Sequence, residues 1–374
     1  MLVRLTSENT TRKTTMQRYT LKTDEAQARE RMNAFWAQSS IGRPAIHLTA
    51  RNRNHTDTPW NGTSDIKTRE LMPDYQVIRT HNAIHSVHWL AEAFPSVLFS
   101  WGSTIGMPAV LAGADYDFST QGAWIRPIPD IMDRPLPVFD PHHPMMVTLE
   151  QGFRAIAKSI GDKGYINPPI MLDGLTTLSL MREAENLCMD LLACPDQVKA
   201  WSNALTTLYI KSYDYFHQLL KTLGYPETSA WLGTLAPGSM EAVQCDFGVM
   251  MSPDMYREFA LPDLLRLTDY LQYSLYHLDG VEQMRFIDIL RECPKLNGIQ
   301  WNPQPGSGSH HDHLADFKEI RKRKFSLMVE CYCVDDAVMI TQELGPDGLF
   351  IKFPKPFNSV DEAEGAVRAI QEAC

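Results

Sequence analysis

The sequence of 374 residues has no apolar run long enough to cross a bilayer. Its longest, Pro95–Ser100 and Gly348–Phe353, fall far short of the roughly 20 residues a spanning helix needs. Met1–Lys22 mixes Arg, Lys, Thr and Glu and has no apolar core, so no secretory leader and no membrane partner are expected, and the cytoplasm is the expected compartment. Positive charge is scarce. The net charge is −10, and the only basic cluster, Arg321–Lys324, reads as the C-terminal turn of a helix, which argues against a nucleic-acid partner. The seven cysteines are odd in number and scattered, so they read as reduced thiols and not as a disulfide framework. No low-complexity tract, short repeat or G-x-G-x-x-G following an early strand is present, and the last absence removes the dinucleotide-binding fingerprint.

What is present is ordinary globular material, 44% hydrophobic and 21% charged, enough to bury a large core without metals or disulfides. Met1–Thr23 is polar and Thr-rich and reads as a loose arm or a contact in a homodimer. Asp24–Gln38 reads as a helix with Ala26, Ala28, Met32, Phe35 and Trp36 on one face, so residues 1–40 form an arm plus helix. The C-terminal half alternates strand and helix signals. Strands are expected at Tyr273–Tyr276, Gly298–Trp301, Ser326–Tyr332 and Gly348–Phe353. The helices between them run from about Val281 to Glu292, from a cap at Asp312, and over Val334–Leu344. A last helix opens with the capping box Ser359-Val360-Asp361-Glu362. Ser252 is an expected N-cap with Pro253 at the first helical position, and Pro262 is expected to break or kink the chain beyond it. Further strands are expected at Pro44–Leu48, Val97–Ser100, Pro169–Leu172 and Trp231–Leu235, with long helices between Asp190 and Leu223. Strands apolar on both faces and joined by helices call for a covered parallel sheet. Eight of them favour a single (β/α)8 TIM barrel over residues 41–374, with the N-terminal helix as an extension.

Several segments carry a resemblance. Asp173-Gly174-Leu175, Leu178–Arg182, Met189–Leu192 and Pro195–Val198 follow one another in the order seen in the uroporphyrinogen decarboxylase superfamily. Cys245-Asp246-Phe247 with Met251–Phe259 and Leu261-Pro262 is similar to the same superfamily. Tyr276–Gly280, Gly298–Trp301, Ala93–Val97 and Gly102–Gly106 resemble one branch of it, and the likeness spans about Asn33 to Gln371. The resemblance implies a β/α barrel whose site opens at the C-terminal ends of the strands. Its activities are porphyrinogen decarboxylation, or zinc-dependent methyl exchange with a corrinoid protein.

His277 and Asp279 follow a strand and are expected at that rim, as a metal or acid–base pair; the alternative is that they bond each other and the loop backbone. In the methyltransferase branch the resemblance implies a His-x-Cys zinc motif, and Asp279 stands in the cysteine's place. A carboxylate ligates zinc but is harder than a thiolate. Cys331 and Cys333 share a face of their strand, with Glu330 on the other, and either can complete a shell with His277 and Asp279, Cys331 being the expected ligand; the bland alternative for each is a small buried hydrophobe. The family's final zinc cysteine has no counterpart in Pro354-Lys355-Pro356. Asp246 is expected near the rim as a catalytic carboxylate or, alternatively, a cap. Trp301 and Asn302 are expected over the mouth as substrate contacts. A Pro305–Ser309 loop carrying His310, His311 and His313 reads as a lid more than a ligand set. Lys352 can reach an anionic substrate. Arg51 and Arg53 lie where the decarboxylases carry an arginine loop, whose forks bind carboxylates bidentately, though its glycine and spacing are lost here.

The leading expectation is a methyltransferase-like enzyme moving a methyl group between a small-molecule substrate and a corrinoid protein, with zinc at His277. The second is a decarboxylase of a carboxylated substrate needing no cofactor, with Arg51 and Arg53 as anchors. The third is a barrel that only binds.

Overall fold

The computed structural model describes residues 17–99, 106–119 and 122–374. The strands are β1 (Ala45–Arg51), β2 (Val87–Ala91), β3 (Ser96–Val97), β4 (Tyr116–Ser119), β5 (Gly122–Ile125) and β6 (Tyr165–Ile166). The chain continues with β7 (Met240–Gln244), β8 (Tyr273–Asp279), β9 (Gly298–Asn302), β10 (Ser326–Glu330) and β11 (Leu349–Lys352). Seven form one sheet in the order β2-β1-β11-β10-β9-β8-β7, parallel throughout except for β2, which runs antiparallel to β1. β3 and β6 form a separate parallel pair, and β4 and β5 a hairpin. Among the described residues the large sheet has two edges, β2 and β7, and is not closed.

The parallel strands are apolar on both faces, as a sheet sandwiched by helices requires, and β7 is buried at all five positions. Val334–Leu344 is helical over the expected span, ended by Gly345 at φ +71°, a conformation that favours glycine. Ser359 caps the last helix, Val360–Glu372, accepting from the Glu362 N–H at 3.2 Å. Ser252 accepts from the Met255 N–H at 3.2 Å. The break expected at Pro262 takes the form of a π-helical turn, Tyr256–Ala260, immediately before Leu261-Pro262, because the proline offers no N–H to continue an α-helical ladder.

Other expectations are corrected. Trp231–Leu235 is a turn, not a strand; the strand of that region is β7, whose Glu241 hid it from an apolar-run reading. Pro169–Leu172 carries no ladder, and its neighbour β6 is only two residues long. Val281–Phe286 is a 3-10 turn leading into a short helix, Ile287–Leu290. Asp312 is not the cap of Leu314–Lys322: it is the capping-box partner of Ser309 on the 3-10 turn His310–His313 that leads into that helix. Met1–Thr23 lies outside the described residues up to Met16, as do 102–105 of the Gly102–Gly106 segment and Ser100. From Gln17 onward the arm is not loose. Tyr19 and Lys22 are buried, and the Tyr19 hydroxyl donates to Glu227 Oε2 at 2.7 Å.

The helix Glu25–Trp36 decides which end of the sheet stays open. Phe35 packs on Phe350 near the start of β11, ring centroids 5.4 Å apart, and Trp36 packs on Tyr273, the first residue of β8, at 5.0 Å. The Trp36 indole N–H donates to the Leu235 carbonyl at 2.9 Å. The helix therefore covers the N-terminal ends of these strands and not their C-terminal ends. No helix among the described residues is long and apolar enough to cross a membrane.

Candidate functional site

In a strand, residues two apart share a face. β8 runs through His277 to Asp279, so both side chains leave the same face at its C-terminal end. Strand register then aligns their neighbours. Gln244 of β7 and Gln300 of β9 flank His277, Asn302 of β9 lies beside Asp279, and Lys352 of β11 pairs with Glu330 on one side and His47 on the other. The polar row thus runs at two levels of the sheet: Gln244, His277 and Gln300 at one, and Asp279 with Asn302 and Glu330 with Lys352 and His47 two residues further along the strands.

Hydrogen bonds fix the geometry. The Gln300 amide N–H donates to the Trp301 carbonyl at 3.2 Å, which orients Gln300 Oε1 toward His277 Nδ1. His277 therefore donates from Nδ1 and presents the Nε2 lone pair to the site. Burial pushes its pKa down, so the ring is neutral at neutral pH. The edge of Trp231 packs on it, centroids 5.0 Å apart at 78°. Asp279 Oδ1 lies 3.9 Å from His277 Nε2 and accepts from Asn302 Nδ2 at 2.7 Å.

Asp246 completes the group from the turn after β7. The Gln244 amide donates to its Oδ2 at 2.8 Å, and its backbone N–H donates to Thr176 Oγ1 at 3.0 Å. A buried chain holds this turn: Tyr256 hydroxyl to Tyr276 hydroxyl at 2.8 Å, Tyr276 to Gln283 Oε1 at 2.7 Å, and the Gln283 amide to the Cys245 carbonyl at 3.2 Å. Asp246 Oδ1 is buried with no partner. Burial first, then the nearby Asp173 and Asp279 carboxyls, raise the Asp246 pKa well above the carboxylate range. One atom each of Asp246, His277 and Asp279 lie within 4.8 Å of one another, the only group of three metal-capable side chains so placed among the described residues.

Asp246 and His277 of the group line a cavity of about 760 Å³ walled largely by apolar side chains, among them Leu98, Ile170, Leu172, Phe247 and Met250. Asp173 sits behind it, capping Gly174–Arg182 through Oδ1, while burial raises its pKa to about 7 and its Oδ2 has no partner. At the other end of the row Lys352 Nζ pairs with Glu330 Oε1 at 2.9 Å, so its charge is already matched. His47, pushed by burial and by Lys352 to about 3, is a neutral imidazole whose Nδ1 has no partner.

The remaining expected residues are placed elsewhere. Cys331 is buried, lies outside the three-residue group, and lines a separate cavity of about 170 Å³ with Phe353 and Phe357. Its neighbour Glu330 pairs with Lys352, and burial pushes the Cys331 thiol well up. Trp301 is buried against Phe317 and His313, facing away from the cavity of His277. His310 and His313 have both ring nitrogens engaged, with Asp336 and the Glu330 carbonyl, and with Asp316 and the Ser307 carbonyl. Arg51 and Arg53 are exposed at the end of β1, pair with no carboxylate among the described residues, and do not line the cavity. Gln244, Gln300, Glu330, Trp231 and Asp173 were missed as site residues. A period-two walk along neighbouring strand ends from His277 finds the first two.

The fold and the site together define a parallel α/β protein with an apolar cavity and a His–Asp–Asp group at the C-terminal ends of its strands. No protein-family model matches the chain, and no curated protein matches it.

Proposed function

We propose that the chain is a methyltransferase-like barrel enzyme of the uroporphyrinogen decarboxylase type, exchanging a methyl group between a small, largely apolar substrate and a corrinoid carried by a partner protein. The observation that carries the reading is the convergence of Asp246, His277 and Asp279, two of which, Asp246 and His277, line a large apolar cavity, one carboxyl oxygen being buried and unpaired. Closure into eight parallel strands is part of the reading. The pair β3-β6 would bridge β7 to β1, since Ile170 and Leu172 beyond β6 wall the same cavity as Gln244, and the Ser229 N–H donates to Asn167 Oδ1 at 2.8 Å. On the other side the Glu92 N–H donates to the Ile46 carbonyl of β1 at 2.8 Å.

The roles follow from protonation. The apolar wall excludes water and holds the substrate body. Neutral His277 offers Nε2 as a base or ligand, and Gln300 fixes its tautomer. Without a metal, Asp246 keeps its proton and can hand it to a leaving heteroatom, with Asp173 behind it keeping the local charge unfavourable to ionisation; a bound divalent ion would displace that proton and take its place. A divalent ion bound by His277 and the two aspartates would supply Lewis-acid polarisation of the substrate heteroatom. The zinc shell implied by the resemblance requires thiolates, and Cys331 does not join the group.

The test is methyl transfer with methylcobalamin and cob(I)alamin against a panel of small methyl acceptors and donors, followed by corrin absorbance. Wild type is expected to transfer, and His277→Ala to lose about 10²-fold or more, the range for an acid–base or ligand residue. Absence of transfer with every partner, together with turnover of uroporphyrinogen by HPLC, would replace this reading with the decarboxylase. Arg51 and Arg53 lie outside the cavity wall, which weighs against that outcome.

A further inference from the structure

The centre resembles a metal site in more than its three ligand atoms. Each candidate ligand is held by a separate side-chain amide: Asp246 by Gln244 at 2.8 Å, His277 by Gln300, and Asp279 by Asn302 at 2.7 Å. Outer-shell hydrogen bonds of this kind fix ligand orientation and tautomer in metal centres. In each case the amide occupies one donor atom and leaves another: Asp246 Oδ1, His277 Nε2 and Asp279 Oδ2. Asp246 Oδ1 is buried and without a partner, an arrangement that costs free energy unless something fills the space. Two carboxylates and a neutral imidazole match the charge of a divalent ion. No cysteine sulfur joins the group, although Cys245 is adjacent in sequence and Cys331 lies two strands away.

Resting on the reading of this cavity as the active site, we infer that Asp246, His277 and Asp279 bind one hard divalent cation such as Mn2+ in a sulfur-free shell, with Gln244, Gln300 and Asn302 as positioning residues. Oxygen-rich donor sets favour such ions over thiolate-loving ones. This departs from the thiolate zinc centre implied by the sequence resemblance.

The experiment uses the full chain, stripped with chelator and titrated with Mn2+ and with Co2+ by calorimetry, followed by X-ray absorption of the Co2+ form. One equivalent is expected, with nitrogen and oxygen scatterers only. His277→Ala and Asp246→Asn are expected to lose binding altogether or by at least tenfold, and Gln300→Leu by about 10–100-fold, the usual cost of an outer-shell partner. Cys245→Ser and Cys331→Ser should bind as wild type. Circular dichroism checks that each variant folds, and the more exposed Asp279→Asn serves if Asp246→Asn does not. Sulfur in the first shell, or undiminished binding in the folded His277 or aspartate variants, would overturn the inference. Metal loading as expected without methyl transfer would remove only the methyltransferase reading. Methyl transfer that survives complete chelation would remove only the metal.

Discussion

Glu241 shows how much a single side chain can report. It lies in β7 between Met240 and Ala242, buried, and burial raises its pKa from about 4.5 to about 8 despite a hydrogen bond from the Ala242 N–H at 2.9 Å. Between those two values the unfolded chain releases this proton while the folded chain keeps it. Folding therefore loses stability as pH rises through that window and levels off above it. Glu241→Gln keeps the acceptor and removes the titration. Urea melts from pH 5 to 8 should show a flatter profile for the variant, the gap growing by an amount on the order of a few kcal/mol toward pH 8. Parallel profiles would mean that Glu241 ionises normally. At this scale the sequence was most legible where charge and strand position coincide. His277 and Asp279 could be named because they close a legible strand, Asp246 because of the resemblance carried by Cys245-Asp246-Phe247, and Asn302 because it follows the next strand signal. Gln244 and Gln300 could not, since a neutral amide has no signature until register sets it beside a ligand.

Between elements, the site depends on close strand contact. Gly298 opens β9 beside Ser326 of β10, and a Cβ there would stand 2.4 Å from the Ser326 carbonyl oxygen, which is backbone and cannot turn aside. Gly298→Ala is expected to cost about 1–3 kcal/mol by chemical denaturation, because β9 must move off β10. An unchanged midpoint would contradict the packing described for that pair. Helix ends with side-chain caps, such as Ser252 and Ser359, were readable from a few residues because the capping bond is local. β2 and β6 were not, and β3 was expected at Val97–Ser100 where only Val97 belongs to it. β2 is exposed enough to lack an apolar run, and the other two are two residues long, so tertiary contacts alone define their bounds.

For the whole molecule, the parallel order β1-β11-β10-β9-β8 was legible from alternating strand and helix, while β7 was not, and the closed (β/α)8 barrel expected from eight strand signals goes beyond the sheet of the described residues, which has two edges. The helix Glu25–Trp36 ties the N-terminal ends of β8 and β11 together through Trp36 and Phe35. Trp36→Ala should therefore cost about 3–5 kcal/mol, the range for a large aromatic lost from a core, measured as a fall in urea midpoint at unchanged m-value. A loss under about 1 kcal/mol would mean the helix is an appendage and not a floor. The central claim is that the opposite end holds one chemical centre at Asp246, His277 and Asp279. Anomalous diffraction from crystals grown with Mn2+ tests it most directly. The account predicts a single peak bonded to all three side chains, and a peak elsewhere, or none at this group, would contradict it.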